Sequence, residues 1–124
     1  MLSANQVVAI RTQYEKMYQD TCDIVEYQKS RNEDGSTGFK EVTVETGIPC
    51  RLSYKSGTAT GETESASHLT QDIEVFLSPD LVIEPGSKLV IAHLGRSIEF
   101  KCTGEPSIYQ THQELHLEIF KGWA

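Results

Sequence analysis

Two histidines near the C-terminus are the first residues whose types and spacing could do chemistry. His112 and His116 stand four residues apart in Thr-His-Gln-Glu-Leu-His, which superficially resembles the HExxH zinc-binding helix. The glutamate, however, is at the third position of the five, and the alternation of Leu115, Leu117 and Ile119 with polar residues indicates a strand. On a strand, residues four apart lie roughly 13 Å from each other, too far to share a zinc ion bound at about 2 Å. We expect no metal site here.

The other candidates for chemistry are scattered along the chain. His68 and His93 lie in different segments, without the carboxylate or cysteine spacing of a ligand set. No serine stands in GxSxG, and no glycine-rich loop precedes a helix as a phosphate site requires. We therefore expect a protein that is not an enzyme and that carries no cofactor.

The three cysteines, Cys22, Cys50 and Cys102, are far apart and odd in number. This pattern offers no CxxC unit and disfavours a secreted disulfide framework. We expect small core residues; a reactive thiol is the alternative.

The elements that must position these residues are mostly strands. In the last two fifths of the chain, four apolar runs are separated by turn residues, among which proline and glycine recur because neither continues a ladder easily. The runs are Leu69–Ser78, Leu89–His93, Arg96–Thr103 and Ser107–Phe120, with links at Pro79-Asp80, Glu84-Pro85-Gly86, Leu94-Gly95-Arg96 and Gly104-Glu105-Pro106.

The first half of the chain adds three more predicted strands. Residues 21–28 and 39–45 flank an Asp34-Gly35 hairpin signal, and residues 50–55 follow a break at Gly47-Ile48-Pro49. Closing such a sheet is an economical way to remove its edges. We predict one domain, residues 1–124, with a small antiparallel β-barrel of about six to seven strands over residues 21–120.

A helix is predicted over residues 3–18. Ser3 and Gln6 have the spacing of a capping box. An apolar stripe follows at intervals of three and four residues, formed by Val7, Ile10, Tyr14 and Met17. A helix this short must dock on something, either its own sheet or a neighbouring subunit.

Residues 56–67 contain no large apolar side chain, so a long flexible loop is expected there. Such a loop is either functional or a tolerated insertion. Its residues of interest are Gly57, Thr58, Gly61, Glu62 and Glu64.

The net charge of −7 is unevenly distributed. Between Lys55 and Lys88 there is no lysine or arginine, but there are six acids: Glu62, Glu64, Asp72, Glu74, Asp80 and Glu84. Such a field repels phosphate and disfavours tight nucleic-acid binding. The stretch is either a solvated surface or a wall past which nucleic acid slides without sticking.

No window has the roughly 20 apolar residues needed to cross a bilayer, and Met1-Leu2-Ser3 does not begin a signal peptide. We expect a soluble, intracellular protein without membrane contact.

Several short motifs give the chain a resemblance to a known family. They are Ile83-Glu84-Pro85-Gly86-Ser87-Lys88-Leu89, the hairpin through Gly95, then Gly104-Glu105-Pro106, and Ile108-Tyr109-Gln110-Thr111-His112-Gln113-Glu114-Leu115. In these motifs, and in its strand order, helix and polar loop, the chain resembles the head-closure (stopper) or head–tail connector proteins of tailed bacteriophages, especially those of Bacillus phages and defective prophages.

The resemblance implies a structural virion protein at the head–tail junction, present in the host cytoplasm during assembly. It implies a ring of identical subunits that binds a portal-bound adaptor protein above and a tail completion or terminator protein below. Packaged DNA would pass through the channel without sequence-specific binding, and residues 56–67 would project into it. Since this loop carries Glu62 and Glu64 but nothing bulky, a plug made from it would be flexible.

Two other readings of the sequence remain. One is a small β-barrel ligand-binding or regulatory domain that uses the barrel mouth. The other is a tail terminator or tail-tube subunit, which would share the small size, the all-β fold and ring assembly.

Overall fold

The computed structural model describes residues 2–58 and 69–123. In these ranges one helix precedes six strands. The elements are α1 (Ala4–Lys16), β1 (Asp20–Arg31), β2 (Thr37–Thr58), β3 (Leu69–Leu77), β4 (Lys88–His93), β5 (Arg96–Ile108) and β6 (Gln113–Ile119).

The strands form a closed antiparallel barrel in the order β1-β2-β3-β6-β5-β4. β1 closes it by pairing with β4 from Thr21↔Ala92 to Val25↔Lys88, while its other edge pairs with β2. The predicted all-β fold, a small barrel with an N-terminal helix, is confirmed.

Helix α1 begins as its sequence predicts. The Ser3 hydroxyl accepts a hydrogen bond from the Gln6 N–H, and the Gln6 side chain accepts one from the Ser3 N–H. This reciprocal capping box satisfies two backbone donors that the first turn leaves unpaired. The helix ends at Lys16, two residues earlier than predicted.

The predicted break at Gly47-Ile48-Pro49 is wrong, because β2 runs through it without interruption. The register against β1 shifts at this point, and Gly47 adopts a positive φ of 63°. The Gly47 N–H donates to the Asp23 carboxylate at 2.9 Å. Glycine and proline here form a bulge rather than a chain reversal.

The predicted link Gly104-Glu105-Pro106 is a second irregularity inside a strand. β5 continues to Ile108, and its register against β6 shifts between Thr103 and Ser107. The connection between β5 and β6 therefore lies later, at residues 109–112.

The β1–β2 ribbon, defined here as residues 26–31 and 37–43, extends beyond the barrel. β1 leaves β4 after Val25, but its pairing with β2 continues to Arg31↔Thr37. The turn at its tip contains Gly35 with a φ of 89°, as the Asp-Gly signal predicts.

The barrel interior is filled by apolar side chains from all six strands and from the β3–β4 loop, residues 78–87. The buried cluster consists of Cys22, Ile24, Cys50, Leu52, Ile73, Val75, Leu77, Ile83, Leu89, Ile91, Phe100, Cys102, Leu115 and Leu117.

All three cysteines belong to this core and are free thiols. A hydrogen bond with Cys22, together with burial, raises the pKa of the Cys50 thiol above its ordinary value. Burial raises the pKa of Cys102 to about 12. Because the thiolate is the reactive form, these cysteines act as small core residues.

Gln113 is the polar residue that ties the β3–β4 loop to the barrel. Its side chain is fully buried, and its Nε2 donates to the carbonyl oxygens of Ser78 and Leu81, both at 2.7 Å. A buried carbonyl oxygen that accepts no hydrogen bond has lost its contacts with water and gained no bond in exchange, which destabilises the folded state. The amide of Gln113 therefore stabilises the start of this loop.

We expect Gln113→Met to lower the free energy of unfolding by about 1–3 kcal/mol, because two carbonyls lose their donor while side-chain volume is kept. The loss of Gln113 Oε1, which is buried without a hydrogen-bond partner among the described residues, offsets part of this cost. Urea denaturation followed by circular dichroism measures this loss.

Gln28→Met is the matched control, since Gln28 is exposed on the β1–β2 ribbon and its amide bonds only the partly exposed Glu26 among the described residues. We expect a change within about 0.5 kcal/mol for this variant. Equal losses in both variants would show that Gln113 has no special role.

Candidate functional site

The apolar stripe of α1 lies on the barrel but is only partly covered by it. Val7, Ile10 and Tyr14 are half-buried, and Met17 is 45% exposed. No residue of the helix is fully buried. The predicted docking residues thus share one face that contacts the barrel on one side and leaves apolar surface open on the other.

Polar contacts hold α1 against the end of β3. The Arg11 guanidinium donates to Asp80 at 2.8 Å and to the Ser78 hydroxyl at 3.0 Å. The hydrogen bond from Arg11 lowers the pKa of Asp80 and in turn raises that of Arg11. Since Asp80 is highly exposed, this pair orients the helix more than it stabilises it.

Aromatic stacking provides the second attachment of α1. The Tyr14 ring lies 4.9 Å from the His112 ring, which also stacks on Tyr109 at 4.8 Å. The His112 Nε2 lies 2.8 Å from a Glu114 carboxylate oxygen. His112 is therefore engaged in packing α1 against the start of β6.

The predicted channel loop is carried by the β2–β3 ribbon, defined here as residues 55–58 and 69–72. β3 pairs with β6 only as far as Ile73↔Leu117, whereas its pairing with β2 continues to Thr58↔Leu69. This is about 13 Å of two-stranded ribbon beyond the barrel wall.

Part of the predicted loop is therefore strand. Ser56, Gly57 and Thr58 lie in β2 and pair with residues 69–71, which corrects the predicted loop start. The rest of the prediction, with Gly61, Glu62 and Glu64, lies outside the described residues.

A cleft of about 620 Å³ lies where the C-terminal end of α1 meets β1, β2 and the β4–β5 turn. We call it the basic cleft, because the cationic side chains of Lys16 and Arg51 line it, together with the imidazole of His93 and the buried carboxylate of Asp20. Its apolar lining includes Met17 and Leu94.

Asp20 fixes the position of His93 in this cleft. The Asp20 side chain is 7% exposed; one carboxylate oxygen accepts from the Leu52 N–H at 2.9 Å, and the other lies 2.8 Å from His93 Nδ1. The carboxylate favours a proton on Nδ1 and so leaves Nε2 as the ring atom available to a ligand.

An aromatic and charged cluster surrounds Lys88. The Lys88 ammonium lies 2.8 Å from Glu41 and 3.4 Å from Glu99, and 4.8 Å from the centre of the Phe120 ring. Trp123 donates its indole N–H to Glu41 at 3.0 Å. The C-terminal residues 120–123 are thereby held against the base of the β1–β2 ribbon.

Aromatic rings continue this cluster onto the ribbon. Trp123 stacks on Tyr27 at 4.8 Å, and Tyr27 stacks on Phe39 at 5.3 Å. Tyr27 is 43% exposed and Phe39 57%, which leaves an aromatic surface open to a partner.

The sequence motifs indicate neither the basic cleft nor this cluster. Asp20 and His93 are 73 residues apart, and Glu41 and Trp123 are 82 apart. No local spacing signals such pairs; only the β1–β4 register and the returning C-terminal segment bring them together.

Within residues 2–58 and 69–123, no group of three or more histidine, cysteine or acidic side chains is arranged to hold a metal ion. In the same ranges, no helix has the length and apolarity needed to span a membrane.

A comparison with models of protein families finds no match to this chain. No curated protein sequence matches it either. The solved structures similar to it include the protein xkdH of the phage-like element PBSX from Bacillus subtilis, with 13% sequence identity and a TM-score of 0.49. That alignment covers 81% of this chain and 93% of xkdH.

Lys88→Met tests the cluster that holds the C-terminal segment. We expect a loss of about 1–2 kcal/mol in the free energy of unfolding, because the ammonium leaves two half-exposed carboxylates and an aromatic face. The fluorescence of Trp123, the single tryptophan, should change as the segment loosens. Urea denaturation followed by this fluorescence measures both effects.

The loss should depend on pH. The hydrogen bond from the Lys88 ammonium to the Glu41 carboxylate lowers the pKa of Glu41 and raises that of Lys88. The difference between the parent protein and Lys88→Met should therefore disappear as pH falls through the lowered Glu41 pKa, on the acid side of the ordinary glutamate range, and as pH rises through the raised Lys88 pKa, on the alkaline side of the ordinary lysine range. Lys29→Met, at an exposed position on the ribbon, is the control; a loss of the same size there would contradict the role of Lys88.

Proposed function

We propose that this protein is a structural subunit of a tailed-bacteriophage or prophage virion, acting as a head-closure subunit of the head–tail connector. It would form a ring beneath the portal and its adaptor protein, retain packaged DNA and offer the surface to which the tail attaches. It would act at the head–tail junction after assembly in the host cytoplasm.

The observation that carries this proposal is the β2–β3 ribbon. Its paired backbone continues past the barrel wall to Thr58↔Leu69, about 13 Å beyond the last pair of β3 with β6. In a ring whose ribbons point toward the axis, the segments that the ribbons carry would meet in the channel. This placement agrees with the resemblance of the chain to head-closure proteins.

Charge gives the ribbon a physical role in this proposal. Residues 56–72 contain three acids, Glu62, Glu64 and Asp72, and no lysine or arginine. A channel lined by carboxylates repels DNA phosphates, so DNA is held by steric closure and not by adhesion. Such a closure retains DNA at rest and lets it slide on release.

Two further surfaces are available for the partners that the proposal requires. The open side of α1, around Ile10 and Tyr14, offers apolar surface to an adaptor or tail protein. The aromatic surface of Tyr27 and Phe39 on the β1–β2 ribbon offers a second. An adaptor on one face and a tail completion protein on the other would use both.

A ligand-binding domain that uses the barrel mouth is the other candidate from the sequence. The interior is filled by side chains such as Phe100 and Leu115, both no more than 1% exposed, and the basic cleft lies outside the barrel. We therefore favour the connector.

Deletion of the gene from the phage or prophage that encodes this chain tests the proposal. We expect electron micrographs of the particles to show free tails beside tailless heads that have lost their DNA. Filled, tailed particles in normal numbers would overturn the connector proposal.

A shortened ribbon tests the retention role separately. Replacing residues 59–68 by Asn-Gly closes Thr58 and Leu69 with a two-residue hairpin turn and keeps the barrel. We expect the filled heads of phage that carry this variant to lose nuclease-protected DNA, because residues 59–68 are no longer present to close the channel.

The matched control replaces residues 32–36 of the β1–β2 ribbon by the same Asn-Gly turn between Arg31 and Thr37. This variant should retain DNA. Normal retention with the shortened β2–β3 ribbon, or equal leakage from both variants, would refute the channel role of residues 59–68.

A further inference from the structure

The basic cleft combines charge with exposed apolar surface. Lys16 and Arg51 are exposed on its rim, and neither forms an ion pair with another described residue. His93 is held in place from behind by the buried carboxylate of Asp20. A negatively charged group entering the cleft would therefore meet two cationic side chains, the Lys16 ammonium and the Arg51 guanidinium.

The apolar rim of the cleft includes a strained residue. Leu94 and Gly95 form the two-residue turn between β4 and β5, and Leu94 adopts a φ of 50°. Asparagine, aspartate or glycine normally occupies this position, since a bulky side chain is disfavoured at positive φ. Leu94 is nevertheless 84% exposed. A leucine that is both strained and exposed contributes little to folding and leaves its apolar side chain free for contact.

The β3–β4 loop has the complementary chemistry. Val82 is 83% exposed and Glu84 is exposed, without an ion-pair partner among the described residues. Ile83 between them is buried in the core. The loop thus presents one apolar and one acidic side chain from an anchored backbone, which reduces the entropy lost on binding.

Glu84 and the cleft lie at opposite ends of the β1–β4 pair. Glu84 borders a depression with Glu26 and Tyr27, where β4 begins and β1 leaves it, whereas the cleft contains Asp20 and His93, where β1 begins and β4 ends. Different complementary patches at separate places on one subunit generate a head-to-tail contact, which closes into a ring when the rotation permits.

We propose that the basic cleft of one subunit binds the β3–β4 loop of a second copy of this chain. Val82 packs between Met17 and Leu94, while Glu84 pairs with the basic rim. This inference rests on the proposed ring and specifies which surfaces form it.

Cysteine cross-linking in assembled particles tests the contact. The variant Val82→Cys with Leu94→Cys places one new thiol on each proposed surface, and the three native thiols are buried. Treating purified particles with a short bismaleimide should give a ladder of covalent multimers that ends at the closed ring. Each single variant should give monomers only.

The control pair is Val82→Cys with Ile108→Cys. Ile108 is 65% exposed and pairs with Gln113, whose side chain bonds the loop at Leu81, next to Val82. Since both thiols then lie on the same side, this pair should give no ladder. Two outcomes would overturn this contact and leave the connector proposal intact. One is an equal ladder from both cysteine pairs. The other is filled, tailed particles that contain the Val82/Leu94 variant but give no multimers. If purified particles of the parent phage contained none of this protein, both proposals would be wrong.

Charge reversal provides a second readout on the same particles. Arg51→Glu and Glu84→Arg should each reduce the yield of filled, tailed particles, and the double variant should restore it. Single variants with normal yield, or a double variant no better than the singles, would contradict the pairing. Circular dichroism of the purified variants confirms that these exposed substitutions leave the fold unchanged.

Discussion

The double pairing of β1 is the constraint on which the rest of the structure depends. Over Thr21–Val25 this strand has β4 on one edge and β2 on the other, and this short window closes the barrel. Closure leaves no free edge in the barrel wall and buries Cys22 and Ile24 almost completely. It also places His93 at the end of β4 beside Asp20 at the start of β1, which is how the basic cleft arises.

The same window determines what projects from the barrel. After Val25, β1 no longer pairs with β4. β1 and β2 continue as a two-stranded ribbon without a third strand beside them. The β2–β3 ribbon arises in the same way where β3 leaves β6. Because isolated two-stranded ribbons are marginally stable in water, each gains from a partner: Trp123 supports the first, and assembly would support the second.

The sequence predicts those features of the fold that depend on residues close together in the chain. The capping box of Ser3 and Gln6 and the Asp34-Gly35 turn are local, and both are present. The alternation of Ile73, Val75 and Leu77 correctly indicates one buried face. The barrel class follows from the number of such strands and their short links. The bulges at Gly47 and Gly104 were predicted as breaks, since glycine and proline serve turns and bulges alike. The candidate sites depend on pairs more than 70 residues apart, for which no local pattern exists.

The position of β6 has a consequence for biosynthesis. Gln113–Ile119 is the last strand made, yet it lies in the barrel between β3 and β5. A nascent chain that has not yet released these residues from the ribosome is an open sheet, with β3 and β5 exposed as unpaired edges. Folding of the barrel must therefore wait until residues 113–119 have left the ribosome, and a chain truncated before them cannot supply a closed subunit.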